Sequence, residues 1–124
     1  MQKLAIMLLA GLFFCFSASA QTKPIKTVTF NTPTVQCEMC KNKIEGMLKR
    51  YNGVITVKVN YKKKQTTVKY YTDRINEEFI KTAISNIGYD ADGVEAAPDS
   101  YNSLPKCCKK PEDRGVKPKE KTIQ

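Results

Sequence analysis

An α+β fold, a four-stranded antiparallel sheet carrying two helices on one face, is predicted by three features of this sequence. Two segments place apolar residues at helical spacing, and four others are β-branched or alternate apolar with polar residues. Their order along the chain is β-α-β-β-α-β. Each helix has a single apolar stripe that needs a sheet face to cover it, and this order is the ferredoxin-like split βαβ arrangement.

The elements follow a leader. Met1-Gln2-Lys3 is a short positive start, Leu4 to Phe16 is apolar or small, and Ser17-Ala18-Ser19-Ala20 supplies an A-x-A site. This predicts a signal peptide over residues 1–20, cleaved after Ala20, and export to the periplasm. The apolar run is too short to span a bilayer, which takes about 20 residues. Cys15 leaves with the leader, because the bulky Phe13 and Phe14 before it do not suit lipidation.

Residues 26–32 alternate, with Val28 and Phe30 on one face, and Pro33 ends this first strand. A short loop carries Cys37. From Glu38 to Tyr51, Ile44, Met47, Leu48 and Tyr51 recur at helical spacing, and Asn52-Gly53 stops the helix, with Gly53 suited to the left-handed position. Gly46 weakens that helix, and close packing would account for it. Residues 54–60 and 66–71 are β-rich runs joined by the polar turn Tyr61-Lys62-Lys63-Lys64-Gln65, so they pair as a hairpin with a solvated lysine tip. The second helix spans residues 76–87, capped by Asn76 with Glu77 and Glu78 in its first turn. Its buried face is Phe79, Ile80, Ala83, Ile84 and Ile87, and Gly88 ends it. Residues 89–96 are expected as the fourth strand. The domain is therefore expected over residues 21–97. Residues 98–124, rich in proline and lysine and poor in large apolar side chains, are expected as a basic disordered tail holding Cys107 and Cys108.

The chain has a net charge of +9 and no histidine. Without the commonest general base, catalysis is disfavoured, and the chain is read as a binding protein and not an enzyme. Export directs the positive charge toward anionic surfaces or acidic partner domains, not nucleic acid. The strands also lack the stacked aromatics of RNA-binding sheets; Tyr61, Tyr70 and Tyr71 read as ordinary strand and turn residues.

Cys37-Glu38-Met39-Cys40 lies between the first strand and the first helix. Cysteines at i and i+3 project from the same side of a helix start, where amide N–H groups and the positive helix end stabilise thiolate. Two thiolates without imidazole or carboxylate partners suit soft ions such as Cu(I) or Hg(II), whereas a closed Zn(II) site wants four ligands. Lys41 and Lys43 offset the charge of such a centre. Met47 sits on the apolar stripe and reads as core, and Met39 as core or loop packing, neither as a ligand. Neighbouring side chains diverge along a backbone, so Cys107 and Cys108 do not share one ion comfortably. One of them could add a third sulfur to the ion at Cys37 and Cys40; a cross-link between the two cysteine pairs, a separate capture point, an intermolecular disulfide or a spare thiol pair remain open.

Val35-Gln36-Cys37-Glu38-Met39-Cys40, the helix after it, Asn52-Gly53-Val54 and Gly88-Tyr89-Asp90-Ala91 resemble the heavy-metal-associated domain family over residues 26–97. That family includes copper chaperones and periplasmic mercury-binding proteins. The resemblance implies that Cys37 and Cys40 bind the metal, and that Tyr89, on the loop after the second helix, lies near it. Val35 stands where the family usually has a buried methionine anchoring the loop, which alters packing without removing a ligand. The resemblance also implies transfer by ligand exchange with thiols of donor or acceptor domains, a membrane metal transporter among them. The expected function is thus binding and transfer or sequestration of a soft metal outside the cytoplasm. Cu(I) is favoured, Hg(II), Zn(II) and Cd(II) stay open, and the carrier is a monomer or a metal-bridged dimer. The rival readings are a thiol-disulfide redox protein and a small secreted domain with a structural Cys37–Cys40 disulfide.

Overall fold

The computed structural model describes residues 24–115. The expected signal peptide and its cleavage point lie outside them. Five of the six predicted elements form: β1 (Ile25–Asn31), α1 (Glu38–Leu48), β2 (Val54–Asn60), β3 (Gln65–Tyr71) and α2 (Glu77–Ile87). The strands make an antiparallel sheet in the order β1-β3-β2. Val68 of the central strand faces Val28 on one side and Val57 on the other, and a bulge at Val54/Thr56 shifts the β2 register. Alternation sends Phe30, Val57, Val59, Val68 and Tyr70 into the core beneath both helices. Against them α1 contributes Cys40, Ile44 and Leu48, and α2 contributes Ile80, Ala83, Ile84 and Ile87. Asn76 caps α2 as expected, its Oδ1 accepting from the Phe79 amide at 2.8 Å.

The fourth strand does not form among the described residues. Residues 89–96 instead close on themselves, with Ala91 and Val94 exchanging backbone hydrogen bonds at 2.9 Å. The cause is Asp92-Gly93, both at positive φ (42° and 83°), a tight reversal that pairs the segment with itself rather than with β1. Only Asp92 reaches β1: its amide donates to the Asn31 carbonyl, and its Oδ1 accepts from the Asn31 amide. The described sheet is therefore three-stranded.

Two predicted core residues are surface residues. Met47 and Phe79 flank their helix stripes and are 39% and 41% exposed; Phe79 stacks edge-on against Tyr51, ring centroids 5.3 Å apart. No neighbour comes within 4 Å of a Cβ built at Gly46, so close packing does not account for that glycine.

The largest departure from expectation lies beyond residue 97. Residues 98–115 fold back as a short helix, α3 (Pro98–Asn102), and two 3₁₀ turns at Lys106–Cys108 and Pro111–Asp113. Composition averaged over the segment hides three anchors: Leu104 and Cys108 are buried and Tyr101 half-buried against the core. Around them the Tyr101 hydroxyl donates to Asp113 Oδ2 at 2.6 Å and accepts from the Lys110 amide at 2.9 Å. The Ala97 amide ties the start of α3 to the Ser85 carbonyl of α2 at 3.0 Å. Gly88 makes the approach feasible. It ends α2 at φ 115°, and a Cβ there would lie 3.0 Å from the Ser100 carbonyl oxygen. No helix among the described residues is long and apolar enough to cross a membrane.

Candidate metal centre

Cys37 is the residue before α1, in extended conformation (φ −149°, ψ 178°), and its carbonyl accepts from the Lys41 amide at 3.1 Å. The loop that delivers it is fixed from several sides. Val35 is fully buried. The Thr32 amide donates to the Lys64 carbonyl at 2.8 Å, the Thr32 and Thr66 hydroxyls pair at 3.0 Å, and Thr34 Oγ1 accepts from the Asp90 amide at 3.0 Å. Lys64 Nζ donates to the Val35 carbonyl. Lys64 thus braces the cysteine loop, and the solvated tip expected of the triple lysine is confined to Lys62 and Lys63.

One helical turn separates Cys37 from Cys40 and brings their sulfurs to 3.4 Å. Cys40 is fully buried and Cys37 half-buried. A third sulfur joins them from the C-terminal segment: Cys108 Sγ lies 2.6 Å from Cys40 Sγ. All three sulfurs lie within 4.8 Å of one another, and all are free thiols. Three sulfurs around one ion at a metal–sulfur distance of about 2.3 Å stand about 4 Å apart, so small side-chain rotations would accommodate an ion here. Cys107, by contrast, is exposed; its sulfur sits 3.7 Å from Met39 Sδ, outside the cluster. The predicted divergence of adjacent cysteines therefore resolves with Cys108 inward and Cys107 outward. Met39 is 55% exposed and so not core; its sulfur packs against Cys107 of the C-terminal segment.

The electrostatics grade the thiols. Burial raises the Cys37 pKa, but hydrogen bonds from the Cys40 backbone and side chain, the Met39 backbone and the Cys107 side chain outweigh it and bring the group down to about 7. Cys108 is pushed the other way, by burial and then by the Cys40 side chain, with Tyr89 opposing. Tyr89 is fully buried, and its hydroxyl makes no hydrogen bond of ordinary geometry. It faces sulfur instead: burial, then the side chains of Cys108 and Cys40, raise its pKa. The tyrosine expected beside the metal thus stands against two of the three sulfurs.

Comparison with known proteins fits this geometry. The chain is 37% identical over 60 residues to the copper chaperone CopZ of Staphylococcus haemolyticus, a match covering 48% of this chain and 88% of that one. It is also 37% identical over 68 residues to a copper-exporting P-type ATPase of Staphylococcus epidermidis, but this spans 55% of the chain and only 9% of the ATPase. Among solved structures, a CopZ metallochaperone superposes with TM-score 0.52 at 29% identity, covering 53% of this chain and 98% of its own. Oxidized MerP from Ralstonia metallidurans CH34 shares the fold at TM-score 0.52 and 22% identity, covering 54% of this chain and 93% of its own. Residues 29–90 match the heavy-metal-associated domain, a span that holds Cys37, Cys40 and Tyr89 and stops short of Cys107 and Cys108. With the βαββα frame, the paired cysteines at the head of α1 and that match in agreement, the chain belongs to the heavy-metal-associated domain family.

Proposed function

We propose that this protein carries a thiophilic metal ion, Cu(I) before Hg(II), Zn(II) or Cd(II), on the thiolates of Cys37 and Cys40, and passes it to thiols of a partner domain outside the cytoplasm. The observation that carries this reading is the pair of reduced sulfurs 3.4 Å apart at the start of α1 in a chain of this family. Cys37 supplies the readily ionised and accessible thiol, and Cys40 the buried one. Sulfur donors without nitrogen or oxygen partners favour soft ions over Zn(II), and the resemblance to copper chaperones and copper-exporting ATPases favours copper. The cargo moves without covalent change to the protein: an incoming thiolate binds the ion as an outgoing one leaves. Lys41, Lys58, Lys62 and Lys63 line an open hollow along the β2 edge, which suits steering of an acidic partner such as the metal-binding domain of a membrane transporter. The leader-like residues 1–20 support a periplasmic setting.

The test is anaerobic metal analysis of the reduced exported protein with copper, zinc, cadmium and mercury in competition. One Cu(I) per monomer, lost in Cys37→Ser and Cys40→Ser, is expected. A stable Cys37–Cys40 disulfide in the freshly isolated protein, with no uptake of any of these ions after reduction, would refute the proposal in favour of a redox or structural role.

A further inference from the structure

We infer that Cys108 is a third metal ligand supplied by the chain's own C-terminal segment, so that an ion held by Cys37 and Cys40 is completed to a three-sulfur site; this rests on the dithiolate reading above. Cys40 and Cys108 are 68 positions apart in sequence, yet their sulfurs lie 2.6 Å apart. The match to the heavy-metal-associated domain ends at residue 90, so this sulfur is an addition to the matched domain.

The placement is built. Leu104 is buried four residues before Cys108, the Tyr101 hydroxyl clasps Asp113 and the Lys110 amide, and α3 abuts Gly88. The Cys108 amide donates to the Pro105 carbonyl at 2.9 Å, closing the turn that aims the side chain inward. A buried cysteine is often just a small apolar filler. A filler would pack against carbon, whereas Cys108 meets two other free thiols and a tyrosine hydroxyl without an ordinary hydrogen-bond partner. Three buried or half-buried sulfurs converging on one point are the donor set of a thiophilic ion.

The arrangement also sets the direction of exchange. Cys40 and Cys108 are 0% and 1% exposed, so only Cys37 offers an approach to a partner. A partner thiolate would form its bond to the ion on that side while a bond to a chain sulfur breaks, and each thiol of the chain gives its proton to solvent when it first binds the ion. Because Cys108 is tethered, it rebinds in preference to a free thiol and retains the cargo until the partner is engaged.

X-ray absorption at the copper edge tests this on the full exported chain, reduced, anaerobic, with one equivalent of Cu(I) and in the monomeric fraction. Three sulfurs are expected in the wild type and two in Cys108→Ser, while Cys107→Ser keeps three because its exposed sulfur, beside Met39, lies outside the three-thiol group. Competition with a chromophoric chelator should show Cu(I) affinity lower in Cys108→Ser on the order of a hundredfold, the low end of the gain from tethering. Cys108→Ala, which keeps the apolar packing, should match Cys108→Ser and so separates ligation from misfolding. Two sulfurs in the wild type, or three surviving in Cys108→Ser, would overturn the inference and leave the dithiolate reading standing. Failure of the wild type to take up Cu(I) would remove both.

Discussion

Replacing Leu104 by alanine should release Cys108 without unfolding the domain. Leu104 is 4% exposed and is the aliphatic anchor of residues 98–115, its Cδ1 lying over Gly88 at the end of α2. A buried leucine-to-alanine change costs about 2–5 kcal/mol. The low end applies here, because α3 itself buries no residue and the surroundings can relax into the gap. The loss falls first on local opening of the segment, since Leu104 anchors it while β1, β2 and β3 are held by their own ladder hydrogen bonds. At about 2 kcal/mol the open population rises roughly 30-fold. Alkylation of the reduced metal-free protein, followed by mass spectrometry of each cysteine, reads this directly. Cys108 labelling should accelerate roughly 30-fold in Leu104→Ala, when reclosing is fast relative to alkylation, while Cys37 labelling changes little. If Cys108 in the wild type already reacts as fast as the exposed Cys107, or if Leu104→Ala lowers global stability without changing that ratio, the docked segment described here is wrong.

The remaining predictions concern local chemistry. The labelling rate of Cys37 in the metal-free protein should climb between pH 6 and 8 and level off above, because its thiol, held at about 7, is protonated below that pH and thiolate above it; a rate still rising steeply past pH 9 would contradict the assignment. Gly46→Ala should stabilise the protein by up to about 1 kcal/mol in denaturant unfolding, since the position is an open helix interior with nothing for a methyl to strike. Gly88→Ala should do the opposite, costing about 1–2 kcal/mol from the left-handed backbone alone and more from the Ser100 carbonyl, and should speed Cys108 labelling as well. Tyr89→Phe should leave metal-free stability within about 1 kcal/mol of wild type, because the hydroxyl it removes makes no ordinary hydrogen bond.

Local signals in the sequence were strong wherever periodicity, capping and burial pointed the same way. The α2 stripe with Asn76 before it and Gly88 after it, the β2–β3 pairing, and Cys37 and Cys40 at one helix start were all legible for that reason. The fate of residues 89–96 was not legible in this way, because their composition is strand-like while the Asp92-Gly93 reversal inside them turns the segment back on itself. Met47 and Phe79 are exposed although they lie at helical spacing, because that spacing defines a stripe but not its edges; only the neighbouring layer determines which flank is covered.

The sequence by itself determined the order of the first five elements, the helix-start cysteine pair and the family, because each is written in short-range spacing that any fold must respect. It also indicated that Cys107 and Cys108 do not share one ion comfortably, since adjacent side chains diverge. Only the tertiary structure decided which of the two turns inward, that Lys64 braces the Val35 carbonyl, and that a segment of disordered composition docks on the core through Tyr101, Leu104 and Cys108. The physical reason is that docking depends on a few anchors meeting a surface assembled from residues far away in sequence. Neither average composition nor local periodicity carries that complementarity.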